Sequence, residues 1–395
     1  MRRLVHHGNE GDMTGRTGKP IAVAYFSDAP WVGGAEKYLF LVASNLHRDD
    51  FEPTILLNRN PRLGQLKEWC VEARVPVREV SLRLPRSLAG VSEFMAMLRS
   101  IKPAILHCNL PGPWDSQWSL LAPIARLAGV RHVVSTEHLP MIPSFAKGML
   151  LKGLGTLWIE RVITVSEDNV GHLVRNHKVP PSKIRVVRIG IPEPLGGRPA
   201  DVRNELGISR EDFLCIMIGS LEERKGHRTV FEALVGLPAH VKLIIAGKGE
   251  REMEYRAAAA ELGLGNRIRF LGYREDIDAL LIASDALLLP STLEATPYVV
   301  IEAMAARLPV IASRVYGIPE LVHDGTTGVL IEPGNSDELA RAIASLARDR
   351  ARRVNMGNEG RKRYEGAFRI ERCIAETEAI YRDLLGVAGS KEAGA

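Results

Sequence analysis

Short apolar runs alternate with helix-period segments along nearly the whole chain, and the alternation breaks off once and then restarts. Residues 21–26, 53–57, 77–80, 104–107, 132–135, 162–165 and 185–189 read as strands, with helices between them, for example over 92–100 and 167–176. Most of these runs are apolar throughout, as strands covered on both faces are. Strand and helix in that rhythm point to a parallel, doubly wound sheet. The run Pro192-Glu-Pro-Leu-Gly-Gly-Arg-Pro199 then interrupts it with three prolines and two glycines in eight residues. Strand-like runs resume at 213–218, 241–246, 267–271, 286–289, 310–312 and 328–331, and from 336 onward the chain reads as helix, ending over 370–385. At 395 residues the chain is about two to three times the usual domain length. The expected class is α/β, with two Rossmann-like doubly wound domains. The boundaries read as a disordered lead-in over 1–19, a first domain over 20–193, a linker over 194–200, a second domain over 201–367, a C-terminal helix over 368–387 and a disordered tail over 388–395.

Composition excludes several classes. Four cysteines (Cys70, Cys108, Cys215, Cys373) are scattered without a Cys-x-x-Cys pair. That argues against a disulfide framework or a zinc site and for a reducing, cytoplasmic compartment. No run of 18 apolar residues is present, so no spanning helix is expected. Residues 1–19 carry charges but no apolar segment of the kind a secretory signal has. The net charge of +5 is uneven: residues 1–198 hold 26 Lys+Arg against 17 Asp+Glu (+9), and the remainder 26 against 30 (−4). Basic surface without a recognition motif or interleaved aromatics does not read as nucleic-acid binding. An anionic membrane face or an anionic acceptor fits the basic half at least as well.

The most informative stretch runs from Glu294 to Pro309: Glu-Ala-Thr-Pro-Tyr-Val-Val-Ile-Glu-Ala-Met-Ala-Ala-Arg-Leu-Pro. It follows an apolar run ending at Pro290, read as a buried strand. Thr296 is placed to cap a helix and Pro297 to occupy its first turn. The helix from Tyr298 is apolar on nearly every side, so Glu302 inside it is a carboxylate in greasy surroundings, costly unless something hydrogen-bonds to it. A helix start suits phosphate and carboxylates accept from sugar hydroxyls. A structural salt bridge is the alternative reading of Glu302.

Ligands of doubly wound sheets sit beyond the strands' carboxyl ends. That singles out Asn109, Glu137, His138 and Ser166 in the first half, and the turn Gly33-Gly34-Ala35-Glu36, where backbone amides could approach an anion or merely make a tight turn. The Gly-x-Gly-x-x-Gly dinucleotide fingerprint is not present there. Residues 139–159 are rich in Met, Leu, Phe and Trp, with Lys147 and Lys152 and no acid. They read either as a core-facing helix, the preferred reading, or as an amphipathic helix at a membrane interface.

With Glu294 and Glu302, Lys225-Gly226, Gly247-Lys-Gly249 and Gly317-Ile-Pro-Glu320 together, the chain resembles retaining glycosyltransferases of family 4, which have the GT-B fold. The resemblance runs from about residue 21 to the final helix and is densest over 213–345. It implies an acceptor-binding front domain, a nucleotide-sugar-binding back domain, reaction in the cleft between them, and a last helix crossing back to the first domain. Carried over residue by residue, it implies that His138, Glu294 and Lys225 serve the reacting centre. Glu302 would hold the donor ribose, and Arg224, Ser220, Gly219, Gly247, Thr296, Pro297 and Tyr298 would line the rest of the donor site. Gly33 and Gly34 would lie near the phosphates and the acceptor.

The implied reaction moves a hexose-type sugar from a UDP- or GDP-sugar to a glycan or lipid-linked acceptor, in surface polysaccharide or glycolipid assembly. No Asp-x-Asp metal motif stands in a suitable loop, so no metal or other cofactor is expected. Lys225 and backbone amides would then neutralise the departing diphosphate. Two rivals remain: a nucleotide-sugar epimerase on the same scaffold, and a non-catalytic homologue that binds glycans or nucleotides. Three departures from the family's pattern stand out: Ser220 where arginine is usual, Ile189-Gly-Ile-Pro192 where Asn-Gly-Ile-Asp is common, and Arg307 where glycine is common. Arg307 reads as a cation welcomed at a helix end.

Overall fold

In a computed structural model of the protein the described residues are 19–82, 87–110, 120–138, 155–194 and 199–387. Residues 1–18 of the lead-in, all but the last five residues of 139–159, linker positions 195–198 and the tail from 388 lie outside them. The chain separates into two compact units: the described residues up to Gly190 together with those from Ile370 onward, and Ile191–Arg369.

In the first unit the strands are β1 (Ile21–Ser27), β2 (Phe51–Asn58), β3 (Val77–Val80), β4 (Ile105–Leu110), β5 (His132–Glu137), β6 (Arg161–Thr164) and β7 (Ile184–Val186). They form one sheet in the order β3-β2-β1-β4-β5-β6-β7, with every neighbouring pair parallel. Pro53, which has no N–H to give, stands in an interior strand; β3 pairs only from Ile55 onward, so the ladder beside Pro53 is not continued. The expected strand over 185–189 is instead Ile184–Val186, although Val187 still donates to the Thr164 carbonyl. Phe26, Leu56, Phe94, Leu106 and Val133 belong to the core over one face, where Phe26 meets Phe94 edge-on at 5.3 Å.

The last helix, Ile370–Leu385, belongs to this unit and is tied to it by polar as well as apolar groups. Tyr381 lies between the Tyr25 hydroxyl (2.9 Å) and His107 Nδ1 (2.5 Å), and His107 Nε2 meets Thr136 at 2.6 Å. Glu378, 1% exposed, accepts from the His47 backbone N–H and from Arg382, which also reaches Asp50 at 2.8 Å. A fully satisfied buried network of this kind specifies one docking position for the helix.

In the second unit β8 (Phe213–Ile218), β9 (Val241–Ala246), β10 (Ile268–Gly272), β11 (Ala286–Leu289), β12 (Val310–Ser313) and β13 (Gly328–Ile331) form a sheet in the order β10-β9-β8-β11-β12-β13, again parallel throughout. In both sheets the winding direction reverses once, between β1 and β4 and between β8 and β11. At such a reversal the flanking loops leave in opposite directions and a crevice opens beyond the strand ends.

Arg307 is more than a cation at a helix end. It follows the helix Tyr298–Ala305 with φ +59°, in the left-handed region, which a side chain occupies at a penalty of about 1–2 kcal/mol. Its guanidinium gains only an exposed bond to Asn358. Arg307→Gly is therefore expected to stabilise the protein by about 1 kcal/mol after glycine's entropy is discounted, seen as a higher urea midpoint with an unchanged slope.

Candidate functional site

The crevice of the second unit is built by glycine-enforced contacts between loops. Gly219, just after β8, has φ +144°, and Gly247, just after β9, has φ +152°. A Cβ on Gly247 would come within 1.8 Å of the Gly219 carbonyl oxygen, so only glycine lets these backbones meet. Gly226 has φ +72°, and a Cβ there would lie 2.3 Å from the Pro290 carbonyl oxygen. That close approach lays Lys225-Gly226 against the end of β11. The Thr292 N–H donates to the Arg224 carbonyl at 2.8 Å and Arg224 Nη1 to the Leu293 carbonyl at 3.3 Å, closing the two loops on each other.

These constraints bring the sequence-predicted charges together. Lys225 Nζ lies 2.5 Å from Glu294 Oε1, which also accepts from Ser291 Oγ at 3.0 Å. Arg224 Nη1 stands 3.8 Å from the same oxygen, while its Nε donates to Glu222 at 2.8 Å. Two cations thus face one carboxylate. The Lys225 side chain passes over Gly219, its Cε 3.5 Å from where a Cβ would stand. Ser220, at the position where arginine is usual, is partly buried and hydrogen-bonds Glu222.

Three expectations for the Glu294–Pro309 stretch are corrected. The helix begins at Tyr298, with Pro297 as its cap in extended conformation (φ −69°, ψ 121°), so proline is not its first residue. Thr296 does not cap it: its Oγ1 is buried and has no hydrogen-bond partner among the described residues. An orphaned buried hydroxyl of this kind costs about 1–3 kcal/mol unless something else satisfies it. Glu302 is only partly buried. Six of the helix's eight residues are buried, and the two that are not, Tyr298 and Glu302, are four apart. They therefore share one face, the least buried side of an otherwise buried helix.

Sequence reasoning did not single out His227. It is 3% exposed, stacks on Tyr255 with ring centroids 4.7 Å apart, and has its Nδ1 buried without a partner. Burial pushes its pKa down to about 4, against an opposing hydrogen bond with the Glu222 backbone. It lines a small recess with Gly219, Ser220, Lys225 and Leu288. The one signal available in the sequence was its place directly after Lys-Gly.

In the first unit the helix Gly34–Asn45 starts at Gly33. The Gly33 N–H donates to Glu36 Oε2 at 3.1 Å and Ser27 Oγ to Glu36 Oε1 at 3.3 Å. Burial raises the Glu36 pKa, and those hydrogen bonds hold it back. Gly33 has φ −131°, and a Cβ there would meet nothing closer than 3.5 Å. Neither backbone strain nor crowding calls for glycine at this position.

Asn109 falls inside the carboxyl end of β4, not past it. Its Nδ2 donates to the Ala35 carbonyl at 3.0 Å, leaving Oδ1 to accept from His138 Nε2 at 2.8 Å. This fixes the tautomer: His138 carries its proton on Nε2 and presents Nδ1 bare. Burial pushes the His138 pKa down to about 3, so the ring is neutral, and Tyr38 holds it edge-on at 5.0 Å. Asn109 thereby joins His138 to the first turn of the Gly33-Gly34 helix at the β1/β4 reversal. Glu137 ends β5, and Ser166 Oγ accepts from the Asn169 N–H at 3.3 Å, which gives it a local structural role.

Residues 32–193 match the model described as Glycosyltransferase Family 4, and residues 200–363 the one described as Glycosyl transferases group 1. The chain is 33% identical over 186 residues to N-acetyl-alpha-D-glucosaminyl L-malate synthase of Bacillus anthracis, a match covering 47% of this chain and about half (49%) of that relative's length. It is 25% identical over 390 residues to the UDP-Gal:alpha-D-GlcNAc-diphosphoundecaprenol alpha-1,3-galactosyltransferase of Escherichia coli, covering 93% and 98% of the two chains. Among solved structures, Anabaena HepE in complex with UDP superposes with a TM-score of 0.81 at 22% identity, over 92% of this chain and 100% of that one. A glycosyltransferase from Rickettsia africae gives 0.82 at 20%, over 93% and 100%. Two parallel sheets, each wound about one reversal, and two matching models that together take in most of the sequence lead to one assignment: the chain belongs to the family 4 glycosyltransferases and has the GT-B fold.

Proposed function

We propose that the protein is a retaining hexosyltransferase. Its donor would be a UDP- or GDP-sugar and its acceptor a glycan or lipid-linked glycan in surface polysaccharide or glycolipid assembly. The observation that carries this reading is the cluster at the ends of β8 and β11, where Lys225 and Arg224 face Glu294, with the partly buried Glu302 in the helix that follows. UDP in the HepE complex and the UDP-galactose named in the E. coli relative's activity support the nucleotide.

In this mechanism the acceptor oxygen bonds to the anomeric carbon as the bond from that carbon to the diphosphate oxygen breaks. The acceptor's proton passes to the departing diphosphate on the same face, so configuration is retained. Negative charge grows on the leaving group, and Lys225, with Arg224 behind it, offsets that charge. Lys225 is held by Glu294 until a diphosphate competes for it. Glu302 accepts from the ribose hydroxyls, and the orphaned Thr296 hydroxyl and His227 Nδ1 are free to meet the rest of the donor. A phosphate near Gly33 and Gly34 would have to compete with Glu36 for the Gly33 N–H. A neutral His138 with a bare Nδ1 accepts a hydrogen bond from a sugar hydroxyl and adds no positive charge. The reaction needs no metal on this reading, and EDTA should leave the rate unchanged.

Among the described residues no helix is long and apolar enough to cross a membrane. We place the enzyme in the cytoplasm, in peripheral contact with anionic lipid through its basic first half. The described cysteines are all free, in keeping with a reducing compartment.

Glu302→Ala is expected to weaken UDP or GDP binding about 10–100-fold, the loss of one to two charge-assisted hydrogen bonds, with circular dichroism checking that the variant is folded. Titration calorimetry decides it, and unchanged affinity in the variant would sink the ribose assignment. Release of UDP or GDP from a panel of nucleotide sugars then identifies the donor.

A further inference from the structure

The first unit carries a second recess, at the opposite end of its sheet from Asn109 and His138. It is a cavity of about 410 Å³ beside the residues that lead into β4 and β5. Leu98, Pro103 and Ala128 are its buried floor, and Arg99, Lys102 and Arg131 stand exposed around it. No acidic residue lines it. Among the described residues none of the three cations is in an ion pair; Arg99 makes one long bond, 3.5 Å, to the Leu127 carbonyl.

Two backbone features aim the cations at the recess. Lys102 ends the helix Leu88–Ile101 in the left-handed conformation, φ +52°, with its N–H on the Leu98 carbonyl at 2.7 Å. Gly129, at φ +96°, turns the chain from the helix Leu121–Leu127 into β5 and brings Arg131 to the other side. The neighbouring Arg126 is already matched with Glu160 and adds no net charge. His132, the first residue of β5, is held below its ordinary pKa by burial, then by Arg126 and Arg131, in keeping with a positive field there.

Three cations around a concave, apolar-floored recess repel one another, and among the described residues no ion pair offsets them. An anion of matching charge relieves that repulsion and gains charge-assisted hydrogen bonds. We propose that Arg99, Lys102 and Arg131 form an accessory binding site for a phosphate-bearing ligand, separate from the sugar-transfer site. From Ala104 to Asn109 along β4 is about 17 Å, so a ligand here cannot touch His138 and would act as an anchor or effector. The inference does not rest on the donor assignment.

The test uses the full chain and inorganic pyrophosphate, followed by titration calorimetry. Because pyrophosphate could also enter the donor crevice, it is run in wild type, in Lys225→Met and in Arg99→Gln/Arg131→Gln. Binding should persist in Lys225→Met, fall about tenfold or more in the double variant, where two charged contacts are lost, and weaken with added salt. Circular dichroism checks the fold of the double variant, and Lys102→Gly, which keeps the left-handed turn, provides a second variant removing one cation. Co-sedimentation with phosphatidylcholine vesicles, with and without phosphatidic acid, separates the sources. Sedimentation with phosphatidic acid that is lost in the double variant assigns a lipid headgroup. Pyrophosphate binding without sedimentation assigns a soluble phosphate compound. Pyrophosphate binding equal in wild type and the double variant, or no binding of either probe, overturns the proposal.

Discussion

Lys225→Met should slow sugar transfer by about 10²–10³-fold, the usual loss when one donor to a developing anion is removed. The same change should destabilise the second unit, because Glu294, with a side chain 9% exposed, then keeps only Ser291 Oγ and an arginine 3.8 Å away. Removing one partner of a buried pair typically costs about 3–5 kcal/mol; Arg224 places this case toward the lower end. The two effects can be pulled apart. Adding Glu294→Gln to Lys225→Met removes the stranded charge and should restore much of the denaturant midpoint while leaving the rate low. Nucleotide release measures the rate and urea unfolding the stability. A Lys225→Met enzyme that is destabilised but turns over at the wild-type rate would leave Lys225 a structural counter-ion only.

Acid should unfold this protein well above the usual carboxylate range. Burial holds His107 and His138 at about 3 and His227 at about 4, from an ordinary 6.5. As pH falls below 6.5 the unfolded chain takes up protons on these residues and the folded chain does not. Their neutral burial is therefore harmless above pH 6.5, and the penalty grows continuously down to about pH 4 for His227 and about pH 3 for the other two. The limiting slope is about 1.4 kcal/mol per pH unit for each histidine, and between pH 6.5 and 5.5, where the unfolded residues are still titrating, it averages about 1 each, about 3 kcal/mol for the three. Glu36, raised by burial, works in the opposite sense as it approaches its own pKa. Glu254, Asp324 and Glu365, all lowered, stay ionised in both states at pH 6.5–5.5 and do not contribute there. Urea midpoints across that window should fall steeply, and His227→Asn should remove about one third of the slope. Midpoints flat between pH 6.5 and 5.5 would contradict the neutral state of His107, His138 and His227 in the folded protein.

The strands were legible because most parallel strands announce themselves as apolar runs, and thirteen of them lie where the pattern placed them, give or take a few residues; their order in each sheet was not read from the sequence. Placement of the charges was only partly legible. That Glu294 and Lys225 would pair could not be read from two segments 69 positions apart; Gly226 and Pro290 bring them together by a backbone contact that leaves no mark in composition. The local signal misled at Thr296 and Pro297, where the pattern of a capped helix start was present but the chain enters one residue later. Glu302 looked buried because its neighbours are apolar, yet a helix can be covered on all sides but one, and periodicity alone did not say which side stays open. His227 was invisible because a histidine after Lys-Gly has no periodic signature.

The helix Ile370–Leu385 has a consequence for biosynthesis. Residues 191–369 are synthesised before this segment, yet Tyr381 and Glu378 complete hydrogen bonds inside the unit that begins with β1. The first unit must therefore wait, with Tyr25, His107 Nδ1 and His47 lacking these partners, while residues 191–369 are made. Translation stopped near position 370 would therefore spare the second unit and leave the first without its closing helix.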